Sequence, residues 1–255
     1  KIDKKINHIK CNLSKLSDFK KFDNKKFDFI INLSGNINHK NKIITKKIHS
    51  EAAKNIFQYF SKQKIKLFIQ AGSSLEYGET TSPQVEKLKC NPKSHYGSSK
   101  LSSSKFLKKI AKKKKIKYLI LRLYQVYGPF QKLDRLIPFT IDNCLKNKRF
   151  NCSSGEQYRD FLYINDLVNL FELILNHENI KSGIYNVGFG LPVKVKTVIK
   201  LINTIIKKGE PNFGGVKMRP DEVEILYPDI KKIKKNFKWK PKTSLLTGIK
   251  KTIKF

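Results

Sequence analysis

Lys66-Leu67-Phe68-Ile69-Gln70-Ala71-Gly72-Ser73-Ser74 is a strand-sized apolar run that ends in glycine and two serines. A run of this length, bounded by small turn-forming residues, reads as a buried strand. Phe27-Asp28-Phe29-Ile30-Ile31-Asn32-Leu33 has the same character and ends in Ser34-Gly35. Ile116 to Leu123 repeats it and closes on Tyr124-Gln125-Val126-Tyr127-Gly128-Pro129. Thr45 to Lys62 carries helical periodicity through Ile48, Ala52, Ile56 and Tyr59 or Phe60, and another helix is expected to begin near Tyr96. Upstream, Ile9 to Leu13 reads as a short strand followed by a polar helix around Lys15 to Phe22. Strands alternating with helices at this spacing predict an α/β fold with a parallel sheet covered on both faces. Ligands of such sheets bind beyond the carboxyl ends of the strands. Leu33-Ser34-Gly35, Gly72-Ser73-Ser74 and Tyr124-Gln125-Val126 all fall at such ends.

Beyond about residue 130 the alternation loosens. Leu133 to Asn147 is expected to be helical, Arg149 to Cys152 a strand, and Gly155 to Tyr163 a lead into a helix with Asp166 near its start. Ile184 to Gly188 reads as a strand and Val195 to Lys207 as a helix. Met218-Arg219-Pro220-Asp221-Glu222 sits in a loop, while Asp229 and Ser244 are expected to cap the last two helices.

The formal charge is +34, from 54 Lys and Arg against 20 Asp and Glu. A basic surface attracts polyanions without selecting among them. The excess is almost all lysine, spread from Lys1 to Lys254, and it accompanies abundant isoleucine and asparagine. That pattern points to biased codon usage rather than to a dedicated nucleic-acid surface, and no aromatic-basic RNA motif is present. The run Lys112-Lys113-Lys114-Lys115 reads as the end of a helix, where cations suit the dipole. The cysteines Cys11, Cys90, Cys144 and Cys152 lack metal-type spacing, so free thiols and a reducing cytoplasm are expected, with no metal site. No apolar run is long enough to span a membrane.

The chemistry is concentrated in Ser94-His95-Tyr96-Gly97-Ser98-Ser99-Lys100. If Tyr96 opens a helix, Lys100 lies one turn on and shares its face. An ammonium there favours the phenolate, which suits the tyrosine to exchange a proton with a sugar or alcohol oxygen. A hydroxyl such as that of Ser73 can hydrogen-bond the same oxygen. Spacing alone is weak support, because helix surfaces carry such pairs by chance.

The ordered set of segments resembles the extended short-chain dehydrogenase/reductase family, in its nucleotide-sugar epimerase/dehydratase/reductase branch. Ile31 to Gly35 is similar to its strand-end segment beside the cofactor, and Gly72 to Gly78 to its serine motif. Tyr96 with Lys100 resembles its catalytic pair, and Arg122 to Pro129 its Arg-x-x-x-x-Tyr-Gly-Pro signature. Gly155 to Asp166 and Arg219-Pro220-Asp221 resemble its two arginine-bearing segments. The resemblance implies a Rossmann-type doubly wound parallel sheet over residues 1–130, and a smaller, mainly substrate-binding α/β lobe over 131–255 with segments returning to the sheet. It implies NAD or NADP as cofactor, a nucleotide-diphospho-sugar substrate and a homodimer in the full-length form. By position, Ser73, Tyr96 and Lys100 would be catalytic. Asn12, Leu13, Leu33, Ser34, Gly35 and Val126 would border the cofactor, with Tyr96 and Lys100. Ser74, Gln125, Arg159 and Arg219 would hold the substrate, the arginines gripping its diphosphate.

Three departures refine this expectation. Dehydratases of the family carry Asp-Glu directly after the catalytic hydroxyl, where this chain has Ser74 and Leu75, with Glu76 one residue late. His49 stands where an asparagine is usual; it is read as a packed helix residue and left out of the site. The Gly-x-x-Gly-x-x-Gly turn that opens the family does not occur in the sequence. The expectation is an N-terminally truncated chain lacking roughly two strands and two helices, with the absent first strand due between Ile9–Leu13 and Phe27–Leu33. The function expected is C4 epimerisation, with NADPH-dependent reduction of a 4-keto sugar as the alternative and a non-catalytic or basic nucleic-acid-binding protein as the alternative of another class.

Overall fold

A computed structural model describes residues 5–36, 41–218 and 222–255, so Arg219, Pro220 and Asp221 lie outside the described residues. The chain packs as two units. The first holds residues up to Gly78, Lys89–Arg122 and Lys181–Ile184; the second holds Glu79–Leu88, Leu123–Ile180 and Tyr185–Phe255.

The first unit opens with a 3-10 helix over Leu16–Phe22, where a polar helix is expected. Strand β1 (Phe29–Asn32) follows. Helix α1 (Lys42–Lys46) runs through a π-helical turn (Lys47–Glu51) into α2 (Ala52–Phe60), so the predicted helix is continuous but underwound once. Strand β2 (Leu67–Ser73) is buried along its whole length and passes into a 3-10 turn over Ser74–Glu76. Helix α3 (His95–Lys113) is started by Ser94, whose hydroxyl accepts the Gly97 N–H, and carries Lys112 and Lys113 in its last turn. Strand β3 is Tyr118–Leu123.

The strand order is β1-β2-β3-β7, and Gly183 and Ile184, which begin β7 (Gly183–Val187), belong to this unit. β1 and β2 are parallel, with Phe29 opposite Leu67 and Asn32 opposite Gln70. That register brings the ends of both strands, and the residues that follow them, to one side of the unit. The core includes Phe19, Ile30, Ile56, Phe57, Phe60, Phe68, Leu107, Ala111, Tyr118 and Ile120. Each buried aromatic here contributes about 1.5–3 kcal/mol, so the 3-10 helix is held chiefly by Phe19, which is wholly buried among Phe22, Tyr59 and Phe60.

Ile9 to Leu13 does not form a strand. β1 is the edge strand of the described sheet, and this segment does not pair with its open side. Its backbone groups are met by side chains instead. The Asp18 carboxylate accepts the Asn12 N–H at 2.8 Å, and Lys21 Nζ donates to the Lys10 carbonyl at 2.8 Å. An isolated strand would have left those groups to water.

The second unit holds β4 (Gln125–Tyr127), α4 (Leu136–Leu145), β5 (Arg149–Cys152), β6 (Tyr158–Tyr163) and α5 (Ile164–Leu175). The rest of β7 is followed by β8 (Pro192–Lys194), α6 (Val195–Ile206), β9 (Glu210–Phe213), β10 (Ile225–Leu226), α7 (Lys231–Phe237) and α8 (Leu245–Ile253). One sheet has the order β10-β6-β4 with β8 antiparallel to β6, and β5 pairs β9 in parallel. Tyr127, Ile141, Phe150, Phe161, Val198, Ile199, Ile202 and Ile249 share its core. Ser244 caps α8 as expected. Asp229 sits one residue before the cap of α7 and accepts the Lys231 N–H at 2.7 Å. Among the described residues no helix is long and apolar enough to cross a membrane.

Candidate active site

Ser73 ends β2 in extended conformation, and the chain then turns at once through Ser74–Glu76. The turn is fixed at both ends by Ser73 and Glu76. The Ser73 Oγ accepts the Leu75 N–H at 3.2 Å, while Glu76 Oε1 accepts the Ser73 N–H at 3.0 Å. A serine that accepts from backbone still has its own O–H to donate. Glu76 Oε2 lies 3.1 Å from Arg122 Nε on β3, and both side chains are buried, Glu76 fully and Arg122 2% exposed. The guanidinium also donates to Cys90 Sγ at 3.1 Å and lies 4.2 Å from the centre of the Tyr77 ring. Gly72 makes room for this carboxylate, since a Cβ there would stand 2.7 Å from Glu76 Oε1.

Helix α3 approaches the same turn closely. A Cβ on Gly97 would lie 2.3 Å from the Leu75 carbonyl oxygen, so only glycine permits the contact that sets the helix start, and with it Tyr96, against the serine turn. Lys100 follows one turn later, 4% exposed, and Nζ donates to the Ala71 carbonyl of β2 at 2.9 Å. The same Nζ is 5.9 Å from the centre of the Tyr96 ring. Burial lowers the Lys100 pKa from 10.5 to about 8, against the opposing attraction of Glu76. Ser73, Ser74, Tyr96 and Lys100 are therefore gathered on the β2 end and the start of α3.

The strand end after β1 joins this group through His49. Asn32 is buried: its amide donates to Gln70 Oε1 at 2.9 Å, and its oxygen accepts the Ser34 N–H and hydroxyl. This turns the chain so that Leu33 is exposed and Ser34 and Gly35 run on beside it. His49, in the π-helical turn, has Nε2 2.9 Å from the Asn36 carbonyl. Its ring stands edge-on to Tyr96 with centroids 4.8 Å apart. Asn12 and Leu13 lie in the irregular segment before the 3-10 helix, where the Leu13 carbonyl accepts from Asn55 Nδ2 at 3.2 Å.

Val126, Gln125 and Arg159 belong to the second unit. Gln125 is exposed on β4 opposite Phe161, and the Val126 carbonyl accepts from Gln131. Arg159 is 6% exposed on β6 and donates to the Tyr158 and Glu224 carbonyls as well as forming an ion pair with Glu222. Sequence reasoning gave no role to Glu76, Arg122, Asn32 or Gly97. The signal available for the first two was a lone arginine and a lone glutamate inside apolar strand-end segments, where an unpaired charge is costly.

The sequence model described as the NAD dependent epimerase/dehydratase family matches residues 1–188. The chain belongs to that family. Among curated members it is 32% identical over 146 residues to the CDP-abequose synthase of Salmonella typhimurium, covering 54% of this chain and 48% of that one. It is 33% identical over 206 residues to the putative UDP-glucose 4-epimerase of Methanocaldococcus jannaschii, covering 78% and 66%. To the dTDP-4-dehydro-6-deoxyglucose reductase of Escherichia coli it is 29% identical over 192 residues, covering 74% and 60%. The chain thus spans about half to two thirds of the length of these relatives. In fold it is similar to the UDP-glucose 4-epimerase of Thermotoga maritima solved with UDP-glucose: TM-score 0.88 and 24% identity, over 95% of this chain and 81% of that one. The parallel α/β architecture of the family's Rossmann-like enzymes is therefore the fold of this chain.

Proposed function

We propose that the chain carries the catalytic face of an NAD(P)-dependent enzyme that epimerises a nucleotide-diphospho-sugar at C4. The observation that carries the reading is the placing of the Tyr96 helix against the Ser73 turn, with Lys100 buried beneath Tyr96. The cofactor, when bound, would take hydride from the sugar carbon and return it. Of the residues present, the strand end Leu33–Gly35 and Lys100, oriented by the Ala71 carbonyl, would border it. Tyr96 removes the C4 hydroxyl proton as the carbon is oxidised and returns it on reduction. Ser73 donates its hydroxyl hydrogen to the same oxygen, and Lys100 favours the tyrosinate through charge.

Glu76 does not supply the acid of a dehydratase. Its carboxylate is buried behind Ser73 and committed to Arg122 and the Ser73 N–H. Val126 is assigned to the nicotinamide side, and Gln125, Ser74, Arg159 and Arg219 to the sugar nucleotide, with residues 131–255 as the mainly substrate-binding lobe. The unbridged cysteines suit a cytoplasmic enzyme of this kind. A relative named as a reductase supports a second reading, in which NADPH reduces a 4-keto sugar once. Incubation with UDP-, dTDP-, GDP- and CDP-sugars separates the two. Interconversion of C4 epimers with no net change in NAD(P)H absorbance is expected. Stoichiometric NADPH consumption would favour the reductase, and loss of neither substrate nor cofactor would reject both.

A further inference from the structure

Glu76 and Arg122 are the two charged groups most completely removed from water around this site, and neither can touch a sugar. A buried ion pair is poor value as a stabiliser, because desolvation offsets most of its attraction. Its position suggests another use. One oxygen of Glu76 holds the Ser73 backbone N–H, at the residue whose hydroxyl faces the reaction. The other is anchored by Arg122, which is itself held by Cys90 and the Tyr77 ring. Gly72 gives up its side chain so that the carboxylate can sit there. The negative charge also acts on Lys100, opposing the loss of its proton.

We infer that Glu76, fixed by Arg122, is the positioning residue of the serine–tyrosine–lysine site: it holds the Ser73 backbone and sets a buried carboxylate on the same Ala71–Ser73 strand end that holds the Lys100 side chain. The inference rests on the reading of Ser73, Tyr96 and Lys100 as the active site. The groups around Lys100 are few. Glu76 acts on it from the turn after β2, with Arg122 behind it on β3. Tyr96 lies on its own helix, and His49 stands beyond Tyr96 on the π-helical turn. Among them Glu76 is the one carboxylate attracting Lys100. The amide of Glu76→Gln keeps an acceptor for the Ser73 N–H but lacks the charge. Glu76→Asp keeps the charge but shortens the reach.

The test uses the whole chain with its lysines reductively methylated with a 13C label, taking the Lys100 resonance as the one lost in Lys100→Arg. Its titration midpoint should fall by about half a pH unit or more in Glu76→Gln and recover in Glu76→Asp. An unchanged midpoint in folded Glu76→Gln would overturn the inference. Should that variant fail to fold, Glu76→Gln with Arg122→Met removes both buried charges and carries the same expectation. This readout needs no substrate, so it stands apart from the proposed activity. In turnover, kcat of Glu76→Gln is expected about tenfold lower with KM within about twofold, since the binding residues are untouched. A wild-type chain with no turnover would count against the enzymatic reading, while the titration would still decide the role of Glu76.

Discussion

Glu76 Oε2 and Arg122 Nε stand 3.1 Å apart in a part of the first unit that water does not reach. Removing one member leaves the other charged and buried, at a cost of about 3–5 kcal/mol. Arg122→Ala is therefore expected to lower the unfolding free energy by that amount in urea titration, with loss of the Ser73 turn. A loss under about 1 kcal/mol would mean that solvent or a neighbour already compensates Glu76.

Lys100 is expected to trade stability for chemistry. Its drop from 10.5 to about 8 corresponds to roughly 3 kcal/mol of cost for holding the charged form in the folded chain. The unfolded chain retains this proton between pH 8 and 10.5 while the folded one releases it. The penalty is thus fully present below about pH 8 and relieved as pH rises toward 10.5. Lys100→Met removes the charge but leaves the Ala71 carbonyl short of a donor, costing about 1–2 kcal/mol. The net expectation at pH 7 is a variant about 1–2 kcal/mol more stable than the wild type, with turnover reduced at least about a hundredfold. Thermal melts at pH 7 and 10 check it: the stability gain should shrink at the higher pH.

Turnover itself should follow the same group. If the ammonium form of Lys100 assists Tyr96, kcat falls as pH rises through about 8, and a pH–rate profile flat to pH 10 would exclude that assistance.

The sheet and helices around β2 and α3 were legible because their apolar runs have the length and period of buried elements. Tyr96 and Lys100 were legible as a pair because four residues make one helical turn. The strand expected at Ile9–Leu13 does not form: its backbone groups are met by the side chains of Asp18, Lys21 and Asn55, partners that composition does not reveal. The short strands β4, β8 and β10 gave no signal, since two or three residues hold no period. Glu76 was read by its distance from a dehydratase motif. Its partner Arg122 lies 46 positions away in sequence and is found only once β2 and β3 are side by side. Arg159 is assigned to a diphosphate by its position in the family resemblance. In the folded second unit its guanidinium is paired with Glu222.

That pairing gives a prediction of its own. A diphosphate reaching Arg159 must displace the Glu222 carboxylate, so the two anions compete for one guanidinium. Glu222→Gln is expected to tighten binding of UDP or dTDP by about threefold to tenfold, and Arg159→Met to weaken it by about tenfold or more. Isothermal titration of the nucleotide diphosphate alone measures both, and unchanged affinity in both variants would remove Arg159 from the substrate site.

Gly97 is the remaining position where a single methyl group should be felt at the chemistry. Its Cβ would meet the Leu75 carbonyl oxygen at 2.3 Å, and backbone cannot swing aside as a side chain can. Alanine is the better helix former by about 1 kcal/mol, so propensity alone predicts that Gly97→Ala stabilises α3. The clash predicts the opposite, because α3 must back away from the serine turn and carry Tyr96 with it. The steric term is expected to win: Gly97→Ala should lose about 1–3 kcal/mol of stability and at least about a hundredfold in kcat. Gly97→Ser should behave alike, and a stabilised, fully active Gly97→Ala would show that α3 does not need this close approach to place Tyr96.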